Sequence, residues 1–282
     1  MPLQYFIILV FSIPGNLTIC HTSVAKMAAT TTSLSRGTKQ YTPLLLSLYD
    51  AVVLGFSTSF IWRCPTRKFL LPMFVENFSE RHLDVGVGTG YFPTEAISRI
   101  ALSQGVMRTN QHLSLVDLNP NALESAKRRV NSKHSNVDIR CILADAAKPL
   151  PTQLQGIPFD SASCSLLLHC MPGPTAAKSR AFKSIARVLS RDGVLVGSTV
   201  LGRVWEKVDG RYVVKPDIET GRLTSSILGL YNRKGIFDNC GDDPQVFEDV
   251  LSEEFEQVEA RIVGMVFLFK AKGPRRDRVA EK

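Results

Sequence analysis

The sequence predicts an α/β protein: a seven-stranded, mostly parallel sheet with a final antiparallel hairpin, preceded by an N-terminal helical cap. Three observations predict it. From His82 onward, short runs of β-forming residues alternate with segments of helical period, the signature of a parallel sheet with right-handed crossovers. A glycine-rich turn in "HLDVGVGTGYF" (His82–Phe92) joins the first strand to the first helix of that series. The chain closes with "EQVEARIV" and "MVFLFKAKG", separated only by Gly264, and so short a connection requires an antiparallel pair.

Taken in order, residues 41–78 read as cap helices with apolar residues on most faces, and Pro65 opens the second segment. Residues 82–86 are the first strand and 91–103 the first crossover helix. "HLSLVD" is the second strand, followed by a helix that Pro120 begins, with Ala122, Leu123, Ala126 and Val130 on one face. "VDIRCILAD" and "FDSASCSLLLH" are the third and fourth strands. A helix carries Phe182, Ile185, Val188 and Leu189 along one face until Gly193 stops it, and "GVLVGSTVL" is the fifth strand. Regularity lapses from Gly202 to about Gly221. Helices over "RLTSSILGLYNRKG" and "DPQVFEDVLSEEF" then lead into the closing hairpin.

At 282 residues, with 44% hydrophobic and 21% charged residues, the chain is long and apolar enough for one large domain with a real core. Its charge of +8 would suggest nucleic acid were it spread over a face. Half of it lies in the last 13 residues, where six basic side chains outnumber two acids, so the body is only mildly basic. Six scattered cysteines without a Cys-x-x-Cys pair fit a reducing compartment, not a disulfide framework. "YFIILVFSI" is too short to span a bilayer, so no stable membrane insertion is expected. Without a preceding Lys or Arg or a following cleavage site, it is an incomplete secretory signal. Residues 1–40 therefore read as a poorly structured extension with Met27 as the effective start, 41–272 as the domain, and 273–282 as a disordered basic tail. A cytoplasmic location follows, with a secretory one as the alternative should residues 1–26 act as a signal.

Ligands of open α/β sheets bind outside the carboxyl ends of the strands. After the first strand come Gly86, Gly88 and Gly90, preceded by Asp84. A dinucleotide fingerprint wants its third glycine one residue later and a small residue at position 91, where this chain has Tyr. No P-loop Gly-Lys-Ser/Thr follows. Asp117 ends the second strand, where its carboxylate suits two ribose hydroxyls; the competing reading is a helix N-cap. Asp145 follows the third strand, in place to accept from an adenine amino group, and Leu118 and Ala146 stand one residue past each acid to sandwich the ring. A ribose acceptor, an adenine acceptor and a glycine turn without a phosphate cradle describe a nucleoside bearing an amino-acid tail.

From Tyr41 to Gly273 the chain resembles class I S-adenosylmethionine-dependent methyltransferases, a Rossmann-like family. The resemblance rests on Asp84, Gly86, Gly88 and Gly90 as its first motif, Asp117 as the acid of the second, Asp145-Ala146 as the third, and "FDSASCSLLLHCMPG" as the fourth. "LYDAVVLGFSTSFIWRCPT", "LLHCMPG" and "YNRKGIFDN" resemble stand-alone methyltransferases of fungal natural-product clusters and their bacterial relatives. The resemblance implies S-adenosyl-L-methionine as cofactor, with Asp84 and the glycines at its methionine end, Asp117 at the ribose and Asp145 at the adenine. It implies a small-molecule acceptor methylated on oxygen rather than nitrogen, and no nucleic-acid partner.

His169, ending the fourth strand, is the candidate general base for a hydroxyl acceptor, with simple hydrogen bonding as its competing role. Tyr49 and Trp62 are candidate walls of the acceptor pocket, and Arg63 a candidate partner for the cofactor carboxylate. Residues 203–240 would complete the lid. No His/carboxylate cluster stands out, so no metal is expected. Two other readings stay open: an RNA methyltransferase using the basic tail, and a non-catalytic cofactor-binding regulator.

Overall fold

The computed structural model describes residues 50–105, 110–154, 156, 158–216 and 221–275. The expectations for residues 1–49, including the Met27 start and the pocket role of Tyr49, lie outside the described residues, as does the tail beyond Arg275.

The seven-stranded sheet has the order β3-β2-β1-β4-β5-β9-β8. Its strands are β1 (Arg81–Val85), β2 (His112–Asp117), β3 (Asp138–Leu143), β4 (Phe159–Ser165), β5 (Leu189–Val200), β8 (Phe255–Val263) and β9 (Val266–Pro274). The first five pair in parallel; β9 lies antiparallel to both β5 and β8, as the single-glycine connection requires. Chain reversal between β3 and β4 carries the sheet outward from β1 on both sides. The carboxyl ends of β1 and β4 thereby become the switch point at which ligands of such sheets bind.

Asp50–Ile61 and Thr66–Leu70 wind as wide π-type turns, the second running into α1 (Leu71–Glu76). The crossover helices are α2 (Tyr91–Gln104) and α3 (Pro120–Lys133), then α4 (Thr175–Lys178), α5 (Arg180–Ala186), α6 (Arg222–Arg233) and α7 (Pro244–Glu254). Alternation along the central strands divides the sheet into two faces. Leu83, Val85, Ala162 and Cys164 enter one apolar core with Phe182, Ile185, Phe247, Phe267 and Phe269. His82, Asp84, Ser161 and Ser163 face the other side, where Phe74 and Phe78 pack against the His82 ring.

Three expected elements are corrected. The fourth strand ends at Ser165, not His169: Leu166 turns into left-handed space (φ 55°), and Leu168–Cys170 forms a 3₁₀ turn. The helix read through Leu189 ends at Ala186. Leu189 already pairs with Phe159 as the first residue of β5, and a bulge carries the register to Ser161 opposite Val194, so Gly193 lies within the strand. The segment after Gly202 is not irregular: β6 (Trp205–Val208) and β7 (Arg211–Val214) form a separate two-stranded hairpin. It turns at Asp209 and Gly210, both with positive φ (49° and 81°), the arrangement of a two-residue turn matched to strand twist.

Candidate cofactor and acceptor site

Gly86, Gly88 and Gly90 all hold left-handed backbone, at φ 76°, 53° and 72°. Their reasons differ. A Cβ on Gly86 would lie 2.8 Å from the Leu167 side chain, and one on Gly90 would lie 2.8 Å from the Ala126 backbone in α3. The protein's own packing therefore demands those two. At Gly88 nothing lies within 4 Å of the missing Cβ, so this glycine opens onto free space at the strand ends. A turn built this way admits another molecule's backbone at one point and fixes helix and strand at the other two.

Asp117 sits beside that opening. Its Oδ1 accepts from Asn119 N at 2.9 Å and its Oδ2 from Gly88 N at 3.4 Å, while burial pushes its carboxyl above the usual range. The N-cap of α3 is Asn119, whose Oδ1 accepts from Asn121 N at 3.0 Å, so Asp117 is not the helix cap. Asp84, near the end of β1, is buried and accepts from Ser163 Oγ at 2.6 Å; burial raises its carboxyl to about 7. The carboxylate of Asp145 accepts from Ala147 N at 3.0 Å and pairs with Lys148 at 3.5 Å. Ala146 is buried in the core, whereas Leu118 is 65% exposed. Leu143, opposite Asp117 on β3, is 60% exposed. Two large apolar side chains thus stand uncovered at neighbouring strand ends, flanked by acids. That is the surface an aromatic base and a cationic tail would cover.

Sequence reasoning missed a second layer at the turn. Thr89 Oγ1 donates to Asp50 Oδ1 at 2.6 Å, and Arg129 of α3 pairs with the other Asp50 oxygen and donates to Thr89 Oγ1 at 3.2 Å. Arg129 also lies 5.5 Å from the Tyr91 ring centroid. The N-terminal segment is thereby anchored to the glycine turn by a partly buried ion pair. Nothing in the sequence links three residues that stand up to 79 positions apart.

On the other side of the switch point, His169 is buried in the 3₁₀ turn after β4. Its Nδ1 accepts from Val200 N at 3.3 Å and lies 3.4 Å from Thr199 Oγ1. A backbone N–H can only donate, so the ring proton sits on Nε2. Burial, helped by Lys178, lowers the imidazole to about 3. Phe237 packs edge-on against this ring at 4.4 Å, and Tyr231 and Trp62 surround Phe237 at 5.0 and 5.9 Å. The segment bearing Phe237 is tied down closely. Asp238 N donates to His169 O at 2.8 Å, Gly173 N donates to Asp238 Oδ2 at 2.8 Å, and Asn239 Nδ2 donates to Val200 O at 2.9 Å. Beneath it Lys178, fully buried, donates to Asp242 at 2.7 Å and to the Asp238 carbonyl.

Trp62 thus joins the aromatic cluster. Arg63 is placed apart from the glycine turn. It lies against the β8–β9 turn at Gly264 and lines a cavity of ≈ 450 Å³ with Trp205, Lys207 and Arg261. Met265 N donates to Trp62 O at 2.8 Å, which fixes this position. The sheet order puts that turn three strands from β1, about 14 Å across the sheet, and Arg63 Nη2 lies 4.0 Å from where a Cβ on Gly221 would stand. Among the described residues, no group of His, Cys, Asp and Glu is placed to hold a metal ion. No helix among them is long and apolar enough to cross a membrane.

Comparison with known proteins agrees with this geometry. Residues 77–211 match the family described as a methyltransferase domain. The chain is 40% identical over 260 residues to the O-methyltransferase NEC2 of Pyricularia oryzae, covering 84% of this chain and 92% of that one. It is 39% identical over 244 residues to the physcion biosynthesis cluster O-methyltransferase of Aspergillus chevalieri, covering 86% and 98%. A solved O-methyltransferase family protein from Burkholderia thailandensis shares the fold at 13% identity, with a TM-score of 0.53 over 83% of this chain and 60% of that one. Acid-flanked glycine turn, strand order and relatives together place the chain in the S-adenosylmethionine-dependent methyltransferase family, alongside enzymes of fungal secondary-metabolite clusters.

Proposed function

We propose that this methyltransferase acts on a hydroxyl group of a small aromatic secondary metabolite. Near-full-length identity of about 40% to two O-methyltransferases carries the reading, and the buried aromatic cluster beside the switch point supports it. In this reading Asp84 and the Gly86–Gly90 turn receive the methionine end of the cofactor. Asp117 accepts from the ribose hydroxyls, Asp145 from the adenine amino group, and Leu118 and Ala146 flank the base. Once bound, S-adenosylmethionine would supply an electrophilic methyl on a sulfonium to the in-line oxygen of a phenol that has given its proton to solvent, with S-adenosylhomocysteine as the leaving group. The protein's contribution is then alignment and exclusion of water.

His169 is better suited to donate from Nε2 than to take a proton, because its one free lone pair is engaged by Val200 N. We therefore assign it to positioning at the acceptor side, with Phe237, Tyr231 and Trp62 as the pocket wall. Five free cysteines among the described residues support a reducing, cytoplasmic location, and the mildly basic body supports a small-molecule partner rather than nucleic acid.

The test is calorimetric titration with S-adenosylhomocysteine, with NADH as control and Asp117→Ala as a second protein, followed by methyl-transfer assays on phenols, carboxylic acids, amines and RNA. Binding lost in the variant, no binding of NADH, and turnover confined to phenols are expected. Methylation of RNA or of amines alone would overturn the acceptor class.

A further inference from the structure

Beneath the cofactor site, on the face of β1 and β4 away from the main core, runs an unbroken row of polar side chains. Ser163 Oγ donates to Asp84 Oδ1 at 2.6 Å, and His82 Nε2 lies 2.9 Å from Ser163 Oγ. His82 Nδ1 lies 2.7 Å from Ser161 Oγ, which in turn accepts from Ser79 N at 2.9 Å. His82, Asp84, Ser161 and Ser163 are all buried, and Phe74 and Phe78 cover the imidazole at 5.3 and 4.4 Å.

With Asp84 ionised, its carboxylate can only accept and sets the direction of the row, while Ser79 Oγ, 2.7 Å from Ser161 Oγ, gives its own proton to Arg81 O at 2.9 Å. Ser79 N is a backbone donor and cannot accept, while Ser163 spends its one proton on Asp84. Ser163 must then accept from His82, whose proton lies on Nε2. Burial lowers the His82 imidazole to about 3, so the ring carries no second proton and Nδ1 accepts from the Ser161 hydroxyl. All the donors point toward Asp84. A row of bonds polarised in one sense strengthens its members and favours negative charge at the accepting end. Apolar side chains at 82, 161 and 163 would fill this interior without any demand for partners, so packing alone gives no reason for the row.

We propose that Ser79, Ser161, His82 and Ser163 form a positioning relay that holds the Asp84 carboxylate ionised and oriented to receive the cationic methionine end of the cofactor, with His82 as the central positioning residue. The proposal rests on the reading of Asp84 given above. One other charged group acts on Asp84 besides the relay, Asp117 at the end of β2, whose charge opposes ionisation; Asp84 in turn helps raise the neighbouring buried Cys164 thiol on β4. The side chains pressed on the relay from the helical layer, Phe74 and Phe78, carry no charge.

The experiment is titration of the full chain with S-adenosylhomocysteine between about pH 5.5 and 8.5, for the wild type, His82→Phe, His82→Gln and Asp84→Asn. The cofactor's ammonium group needs the carboxylate, so wild-type affinity should rise as pH passes about 7. In His82→Phe the rise should move about one unit higher. Affinity near pH 6.5 then falls about tenfold, while near pH 8.5 it stays within about threefold of wild type. His82→Gln, whose amide can donate to Ser163 from the position of Nε2, should restore most of the wild-type profile. Should His82→Phe fail to fold, Ser161→Ala removes the donor to Nδ1 with the ring in place and should shift the profile the same way. An equal loss at every pH, or a profile that coincides with wild type, overturns the relay. Wild-type affinity for S-adenosylhomocysteine in Asp84→Asn would overturn the underlying reading of Asp84 instead.

Discussion

Alanine at Gly88 and at Gly90 should separate ligand binding from folding within a turn of five residues. Both positions hold left-handed backbone, at φ 53° and 72°, which costs an alanine about 1–2 kcal/mol. At Gly88 that is the whole cost to the empty protein, because nothing lies within 4 Å of the added methyl. A domain of this size loses about 2–4 °C of melting temperature per kcal/mol, so Gly88→Ala should fall by about 2–8 °C. At Gly90 the methyl would also meet the Ala126 Cα at 2.8 Å and its Cβ at 2.9 Å, and α3 must shift to admit it. Overpacking of that kind adds about 1–3 kcal/mol, for a total of about 2–5. The order reverses for the ligand. Gly88→Ala puts its methyl where the nucleoside's backbone should lie, weakening S-adenosylhomocysteine about ten- to hundredfold. Thermal denaturation with and without S-adenosylhomocysteine reads both effects. Binding within about threefold of wild type in Gly88→Ala would refute the placement of the ligand, and equal destabilisation by the two variants would refute the packing argument.

Lys178→Met leaves the buried Asp242 carboxylate without its partner and should cost about 3–5 kcal/mol in urea unfolding, whereas Lys178→Met with Asp242→Leu should recover most of it. Equal losses in the single and double variants would show that the pair contributes nothing as a pair. The Asp84 carboxyl, raised to about 7 when folded, binds more protons in the native than in the unfolded chain between about pH 4 and 7. Its contribution is present below that window and lost as pH rises through about 7. Asp84→Asn should therefore melt at or above wild type near pH 8 without ligand while binding S-adenosylhomocysteine poorly; a lower melting temperature there would contradict the assignment. For His169 the sign is opposite. An imidazole lowered to about 3 contributes stability that is present above about pH 6.5 and lost as pH falls toward 3. His169→Gln should lose less stability than wild type between about pH 7 and 4, and should keep most turnover with any phenol the acceptor assays identify. Loss of turnover by about a thousandfold with cofactor binding intact would restore the base.

The parts of the site legible in the sequence are those where one residue type does one job next to a strand end. Asp84, Gly86, Asp117 and Asp145 each stand within two residues of a β-run, with Gly88 and Gly90 just beyond in the same turn, so periodicity places them. Two misread segments show where that logic stops. "CSLLLH" reads as continuous strand because three leucines follow Ser165, yet Leu166 leaves the sheet in a left-handed turn that no leucine advertises. Leu189 fits the helical face of Phe182 and Ile185 because it, too, is buried, but it is buried as the first residue of β5. The β6–β7 hairpin was missed although "WEKVDGRYVV" carries Asp-Gly between β-formers, a strong two-residue turn signal. Contacts such as Asp50–Thr89–Arg129 and the His82 relay carry no local signal, since their members meet only once the sheet order is known.

That order also divides the labour between the two halves of the site. On the β1–β2–β3 side the groups proposed to meet the cofactor are carboxylates and backbone, which would suit one invariant ligand. On the β4–β5 side stand the rings of His169, Phe237, Tyr231 and Trp62, whose shapes can change without altering the cofactor side. The segment that presents Phe237 is held by hydrogen bonds from Asp238 and Asn239 to the backbone after β4 and at the end of β5, and by Lys178 from below. Most of those bonds are made by groups that leave the rings free to vary. If these rings form the proposed acceptor wall, a frame anchored in this way would keep that wall at a set distance from the switch point while the rings decide what fits against it. Acceptor choice should therefore follow substitution of Phe237, Tyr231 and Trp62 more closely than any change in the glycine turn, and the position of the transferred methyl should be nearly indifferent to it.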